Sequence, residues 1–317
     1  MDLPIIVVNA SSRIERLETT KRSSGTEDST VKYVVVSPVR DEEEYIGKTI
    51  DSMVSQTILP EAWIIINDGS IDNTGNMIDY YAEKYSWIHS MHRENRGFRK
   101  SGAGVIEAFY DAYESIQLTD WKYIVKLDGD LSFDADYFEK CFSYFERLPK
   151  LGLGGGVIFN FVNGNLKLEP NPLFHVRGAT KIYRKECWDA IEGLIKAPGW
   201  DTVDEVKANM LGWTTQSFLD LKVIHHRYTG TADGTWKGWV KNGLANYICG
   251  YHPLFMILKC LKRTFQKPSY FIGALGLLYG FMGGYVKRIP QVRDRALIAY
   301  LRRQQVNRIL MKESIWK

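Results

Sequence analysis

The sequence predicts an α/β fold, a doubly wound and mostly parallel sheet, followed by a helical region that is basic and apolar. Three observations carry this. Short β-branched runs alternate with amphipathic helical stretches, the runs are apolar enough to be buried on both faces, and acid-bearing motifs directly follow the runs. In such sheets ligands bind beyond the carboxyl ends of the strands, which is where those motifs fall.

Each element has its own justification. "KYVVVSPV" (32–39) is a β-branched run closing at Pro38, a strand. "DEEEYIGKTIDSMVSQ" (41–56) has acids in its first turn and Ile46, Ile50, Met53 and Val54 at helical spacing. "AWIIIND" (62–68) is a second strand, broken by Gly69-Ser70, and "NTGNMIDYYAEKY" (73–85) a second helix. "WIHSMHR", "SGAGVIEAFYDAYESI" and "KYIVKL" supply a third strand, a third helix and a fourth strand. Beyond Gly152 the alternation loosens. "GLGGGVIFNFVNG" and "HVRGATKIYRKECWDAI" read as strands and a helix finishing the same domain, "WDTVDEVKANMLGW" as a helix and "QSFLDLKVIHHR" as a strand. From Trp236 the chain is helical and apolar with charges at intervals. Residues 268–286, "PSYFIGALGLLYGFMGGYV", carry no charge and have roughly the minimum length of a membrane span. Their glycines favour an interfacial or re-entrant hairpin over a span, a buried core helix being the plainer alternative.

Composition narrows the function classes. The chain has 317 residues, 45% of them hydrophobic and 25% charged, values of a folded globular protein. A net charge of +4 is too mild to argue for nucleic acid. Its distribution says more: from Met256 to Lys317 the only acids are Asp294 and Glu313, against thirteen lysines and arginines. That asymmetry points to a polyanionic surface such as membrane lipid. Cys141, Cys187, Cys249 and Cys260 lack CxxC spacing, which argues against a zinc knuckle or a disulfide framework and fits a reducing compartment. "MDLPIIVV" has no cationic lead and is not a secretory signal. The expected organisation is a flexible leader over 1–30, a catalytic domain over 31–235 and a membrane-associating helical region over 236–317.

The stretch "IVKLDGDLSF" (124–133) runs a buried strand into Asp128 and Asp130, held apart by Gly129. Like charges so close repel unless a cation lies between them, although an Asp-Gly turn is the common alternative. Other carboxylates recur at strand ends: Asp41 and Glu42 after the first, Asp68 after the second. A nucleotide needs acceptors for its base and ribose, and its diphosphate needs a divalent cation before it can approach acids. Taken singly each acid is a cap or turn residue, and Glu43 and Glu44 read as solvated first-turn residues. The recurrence argues for a site.

With these motifs in view, the chain from about Tyr33 to Gly230 resembles the family 2 glycosyltransferases, enzymes of the GT-A fold. The pieces that carry the resemblance are "VSPVRDEEEYIGKTIDSMVSQT", "IIINDGSIDNT", "ENRGFRKSGAGVIEAF", "LDGD" and "WDTVDEVKANMLGW". The resemblance implies a nucleotide pocket lined by Pro38, Val39 and Arg40, with Glu42 reaching base or ribose and Asp68 bonding the base. The family usually has a second acid before that aspartate, where this chain has Asn67. Gly97 and Lys100 would flank base and diphosphate. Asp128 with Gly129 would hold the ribose and metal-bound water, and Asp130 would bind Mg²⁺ or Mn²⁺.

For the general base the family shows Glu-Asp a little over ten residues before a Gly-aromatic pair. Counting back from Gly212-Trp213 reaches Asp201, with Trp200 in the glutamate's place and Asp204 one turn on as the reserve. Similar enzymes carry a histidine that completes the metal shell or touches the diphosphate. His225 and His226 stand there, and adjacent strand residues point to opposite faces, so only one is expected to reach the site. His175 reads as structural or acceptor-side.

The implied reaction is an inverting single displacement, metal-dependent, moving a sugar from a UDP- or GDP-type nucleotide-sugar to a glycan or polyprenyl-linked acceptor. It would take place at the cytoplasmic face of the cell membrane, the protein being peripheral or monotopic. The alternative is a non-catalytic membrane-associated protein on a degenerate transferase scaffold. A dinucleotide oxidoreductase is disfavoured because the glycines of "SGAGVIEA" do not follow the first strand. Nucleic-acid binding is disfavoured because the basic tail is interleaved with Phe, Leu, Ile and Tyr.

Overall fold

Strand β1 (Tyr33–Val39) lies at the centre of the parallel half of the sheet, between β2 (Ala62–Asn67) and β4 (Tyr123–Leu127), with β3 (Ile88–His92) outside β2. All seven residues of β1 are buried. Tyr33 and Val35 pack with Ile46 and Ile50 on one face, and Val34 and Val36 pack with Ile106 and Phe109 on the other. This two-sided burial is why the strand reads as an unbroken apolar run. The computed structural model describes residues 31–98, 102–162, 164–227, 235–265 and 270–316, and residues 31–317 form one compact unit.

Beyond β4 the sheet changes character. The remaining strands are β5 (Leu131–Phe133), β6 (Leu151–Val162), β7 (Asn165–Leu168), β8 (Thr180–Arg184) and β9 (Thr214–His225). The order of the nine-stranded sheet is β3-β2-β1-β4-β8-β6-β9-β5, with β7 added on β6. β8 runs antiparallel to both β4 and β6, β9 is parallel to β6, and β5 is antiparallel to β9. The expected mostly parallel sheet holds for β1–β4; beyond them the β6–β9 pair is parallel and the other described pairs are antiparallel, so the sheet as a whole is mixed. The fold is a mixed α/β sheet of the GT-A type.

Helices α1 (Ile46–Val54), α2 (Thr74–Lys84) and α4 (Tyr137–Arg147) cover one face, and α3 (Ala103–Tyr113), α5 (Lys185–Ile191) and α6 (Trp200–Met210) the other. Sequence reading missed α4, although Phe138, Cys141, Phe142 and Phe145 form its buried stripe. Helix α1 starts five residues later than expected, because the preceding acids form a turn. Asp41 takes a left-handed conformation (φ 54°), and Glu43, exposed as expected but outside the helix, accepts the backbone N–H of Asn73 at 2.9 Å.

The C-terminal helices are α7 (Thr235–Ile248), α8 (Pro253–Arg263), α9 (Tyr270–Val286) and α10 (Arg295–Ile309). They share a core with α6, in which Val203 and Val206 meet Tyr247, Met256, Phe281 and Leu301. The expected hairpin over 268–286 is replaced by one continuous helix from Tyr270 to Val286. Its glycines serve close packing: a Cβ on Gly280 would lie 2.0 Å from the Val240 carbonyl oxygen, and one on Gly243 2.1 Å from that of Leu277. Among the described residues no helix is long and apolar enough to cross a membrane. All four cysteines are buried thiols.

Candidate active site

The ends of β2, β1 and β4 lie side by side, so their following residues share one rim. The Asp68 N–H donates to the Val39 carbonyl at 2.8 Å, and a Cβ on Gly129 would strike Val39 Cγ1 at 2.6 Å. Strands two positions apart are separated by roughly 10 Å, about the span from a base to a diphosphate. Pro38 and Val39 form the floor between the Asp68 arm and the Asp128–Asp130 arm.

On the first arm Asp68 is buried against two guanidinium groups. Arg96 holds it in a fork at 2.8 and 2.6 Å, and Arg93 adds a bond at 2.8 Å. Both carboxylate oxygens are thus engaged, with three of about four acceptor sites taken. Arg40 does not point into the rim. It donates to Asn95 Oδ1 at 3.0 Å and to the Phe98 carbonyl at 3.3 Å, tying the 93–98 loop to β1. Gly97 turns that loop with φ 75°. Asn67, in the place of the family's second acid, accepts the Ser70 N–H at 2.8 Å and builds the Gly69 turn. Glu42 faces Arg227 at 2.8 Å, which reaches back from the end of β9. Lys100 lies outside the described residues.

On the second arm Asp128 is paired with the buried Lys126. Burial raises its carboxyl above the usual range against the pull of Lys126. Asp130 Oδ2 lies 3.1 Å from His225 Nε2, while Oδ1 is buried with no hydrogen-bond partner among the described residues. His225 opposes its own burial through this carboxylate and titrates above the ordinary histidine value. His226 is a correction. It points to the other side of β9, 2.9 Å from Ser132 Oγ and beside the rings of Tyr45 and Phe161. The alternation of the strand sends only His225 to Asp130.

An unpartnered buried carboxylate oxygen is expensive, and a cation removes the cost. The pair Asp130 and His225 therefore fits a divalent ion. Among the described residues no cluster of three or more His, Cys, Asp or Glu is spaced to hold one, so other ligands would come from substrate and water.

The third component is the start of α6. Gly178 has no Cβ to keep out the Trp200 ring (3.0 Å) or Asp201 Cβ (3.5 Å), and its neighbour Ala179 accepts the Asp128 N–H at 2.8 Å. Asp201 and Asp128 thus meet the same short segment. Beneath it lies a buried ionic cluster. Lys181 Nζ donates to the Asp201 carbonyl at 2.7 Å, to both Asp204 oxygens at 3.0 and 2.9 Å, and to Glu205 at 2.8 Å. Tyr183 bonds Asp204 at 2.5 Å and His175 bonds Glu205 at 2.7 Å. Asp204 as reserve base is therefore a correction: it is 2% exposed, saturated with donors, and pushed by burial up to about 6 against the pull of Lys181. Asp201 is partly open. Burial works against its ionised form, but Lys181, His175 and Arg177 outweigh it, and its carboxyl titrates below the ordinary range.

Sequence reading missed Lys181, the Arg93–Arg96 pair and Arg177, whose charge reaches both Asp201 and His225. Arg96 stands inside the quoted "ENRGFRK" stretch but was given no role, and Arg93, Arg177 and Lys181 carry no motif signal of their own. The alternation of "TKIYR", which puts Lys181 and Tyr183 on one face of a buried strand, was the signal for Lys181.

Comparisons with known proteins bear on the family and the fold. The model of glycosyl transferase family 2 matches residues 34–193. The chain belongs to that family. It is 28% identical over 155 residues to the uncharacterised glycosyltransferase MG025 of Mycoplasma genitalium, covering 48% of each chain. It is 32% identical over 113 residues to the poly-beta-1,6-N-acetyl-D-glucosamine synthase of Staphylococcus aureus, covering 35% of this chain and 25% of that protein. This family 2 chain thus spans about half or less of the length of the curated relatives it matches. A mannosyltransferase from Pyrobaculum calidifontis, solved with GDP-mannose and Mn²⁺, shares the fold with a TM-score of 0.53 and 14% identity, over 92% of this chain and 85% of that one.

Proposed function

We propose that this glycosyltransferase moves a sugar from a UDP- or GDP-type nucleotide-sugar to a hydroxyl of a lipid-linked or polysaccharide glycan, with inversion at the anomeric carbon. The observation that carries the reading is the shared rim, on which the Asp68 arm, the Asp128–Asp130 arm and Asp201 converge around Val39 and Gly178–Ala179. Asp68 takes the base through its remaining acceptor site on Oδ2, and Asp128 takes the ribose. Asp201, held ionised by the cations around it, accepts the acceptor hydroxyl proton as that oxygen attacks the anomeric carbon and the nucleotide diphosphate departs. Asp130 and His225 would hold Mg²⁺ or Mn²⁺, which when bound neutralises charge on the departing diphosphate. Arg177, whose charge reaches Asp201 and His225, would favour the same anion. The glycan acceptor is supported by the polysaccharide-forming relative and by the helical region packed on the back of α6.

A panel of nucleotide-sugars, with Mg²⁺ or Mn²⁺, scored for nucleotide diphosphate release, tests the reading whatever the acceptor, since water can take the sugar in its place. At least one UDP- or GDP-sugar should be turned over, and Asp130→Ala should lose this while keeping its melting temperature. No turnover and no nucleotide binding across the panel would favour the degenerate, non-catalytic scaffold instead.

A further inference from the structure

We infer that α8 and α9 form a docking surface for an anionic lipid bilayer, into which the protein inserts one face without crossing. On α9 Ile272, Leu275, Tyr279, Met282 and Val286, spaced three or four apart, turn outward with Phe271 beside them, and all are exposed. A soluble helix carries polar residues on that face. Here both faces are apolar, the inner one packed on α7 through glycines and the outer one left uncovered by the described residues. Helix α8 repeats the pattern. Leu254, Ile257, Leu258 and Leu261 are exposed on one stripe, and Phe265 just beyond the helix is 84% exposed. The two helices pack on one another, with Arg263 of α8 beside Gly273 of α9.

The chemistry at the edges selects the occupant. Lys262 flanks the α8 stripe, and Lys287 and Arg288 follow the end of α9, all exposed, whereas Lys259 folds its ammonium over the Tyr251 ring. Trp236 and Tyr279, amphipathic rings with centroids 6.0 Å apart, lie at the margin where aromatic residues meet headgroups. A cationic rim around an apolar face suits anionic lipid. A second copy of this chain fits worse, because a two-fold contact would set the same cations against each other. At 17 residues α9 is about 26 Å long, shorter than a hydrocarbon core, so it lies in the interface. The anionic leaflet is the cytoplasmic one. Docking there would leave α6, which shares a core with these helices, close to a lipid-borne acceptor.

Co-sedimentation of the full chain with phosphatidylglycerol-containing vesicles and with pure phosphatidylcholine vesicles, at low and high salt, tests this. Binding should be about tenfold or more in favour of the anionic vesicles and weaken with salt. Leu275→Glu with Met282→Glu, and separately Leu258→Glu with Leu261→Glu, should each reduce it about tenfold or more with unchanged melting temperature. Lys262→Glu with Lys287→Glu should abolish the anionic preference. Equal binding to both vesicle types, variants that bind like the wild type, or a dimer in solution that these variants split would each overturn the inference. Donor hydrolysis by the detergent-free soluble fraction, measured alongside, keeps this result separate from the transferase reading.

Discussion

Two groups of carboxylates surround the same cleft and behave in opposite ways. On the donor side Asp68, Asp128 and Asp130 sit at strand ends, where Asp68 is met by arginines from one loop and Asp130 keeps an oxygen unpartnered. On the far side Asp204 and Glu205 share a fully buried lysine and have no oxygen to spare. The difference teaches that a carboxylate's use is set by what already satisfies it. A buried acid with an oxygen that no described residue meets, such as Asp130, is available to a ligand, whereas a core-saturated one such as Asp204 is architecture. Asp68, held by two arginines, lies between. Asp201 stands on the boundary, its backbone in the architectural cluster and its side chain partly open.

Substitutions can break or sharpen this contrast. The largest effect is expected for Asp201→Asn, a loss of roughly 10²–10⁴ in transfer rate with nucleotide affinity little changed, as measured by acceptor kinetics and calorimetry. A comparable loss of stability in place of rate would move Asp201 to the architectural group. Asp130→Ala should lower donor turnover by about 10²–10³, the scale of one electrostatic contact to a developing charge. It should change chemical denaturation midpoints little, because the lost Oδ2 contact to His225 is offset by removal of the buried Oδ1, which has no partner among the described residues.

On the other side, Lys181→Met strips the cation from two buried acids and should destabilise the fold by about 3–5 kcal/mol in urea titration. It also has a catalytic signature. Lys181 is the strongest of the charges holding the Asp201 carboxyl low. A base so held stays ionised as pH falls, so the wild-type acid limb from this group lies below the ordinary aspartate range. Removing the lysine raises that pKa, and activity should then be lost at a higher pH than in the wild type. An unmoved limb would separate Lys181 from the base. The smallest effect is expected for Asp68→Asn, about a tenfold weakening of nucleoside diphosphate binding by calorimetry, near the worth of one charged hydrogen bond.

Much of this was legible in the chain alone. The runs 33–39, 62–67, 88–92 and 123–127 are strands because apolar β-branched residues fit a sheet covered on both faces, and the acids after them had to fall at one edge. The spacing from Gly212 to Asp201 placed the latter at the first turn of α6. What local pattern did not contain was pairing. Whether β8 runs up or down, whether Asp204 or Asp201 turns to the cleft, and which of His225 and His226 meets Asp130 depend on residues tens of positions away. Lys181 lies 23 residues from Asp204 and Asp130 lies 95 from His225. Sequence determined the elements and the inventory of acids, because those follow from local periodicity and side-chain chemistry. Tertiary structure alone decided which acids were already spoken for, because satisfaction of a charge is a property of its surroundings and not of its place in a motif.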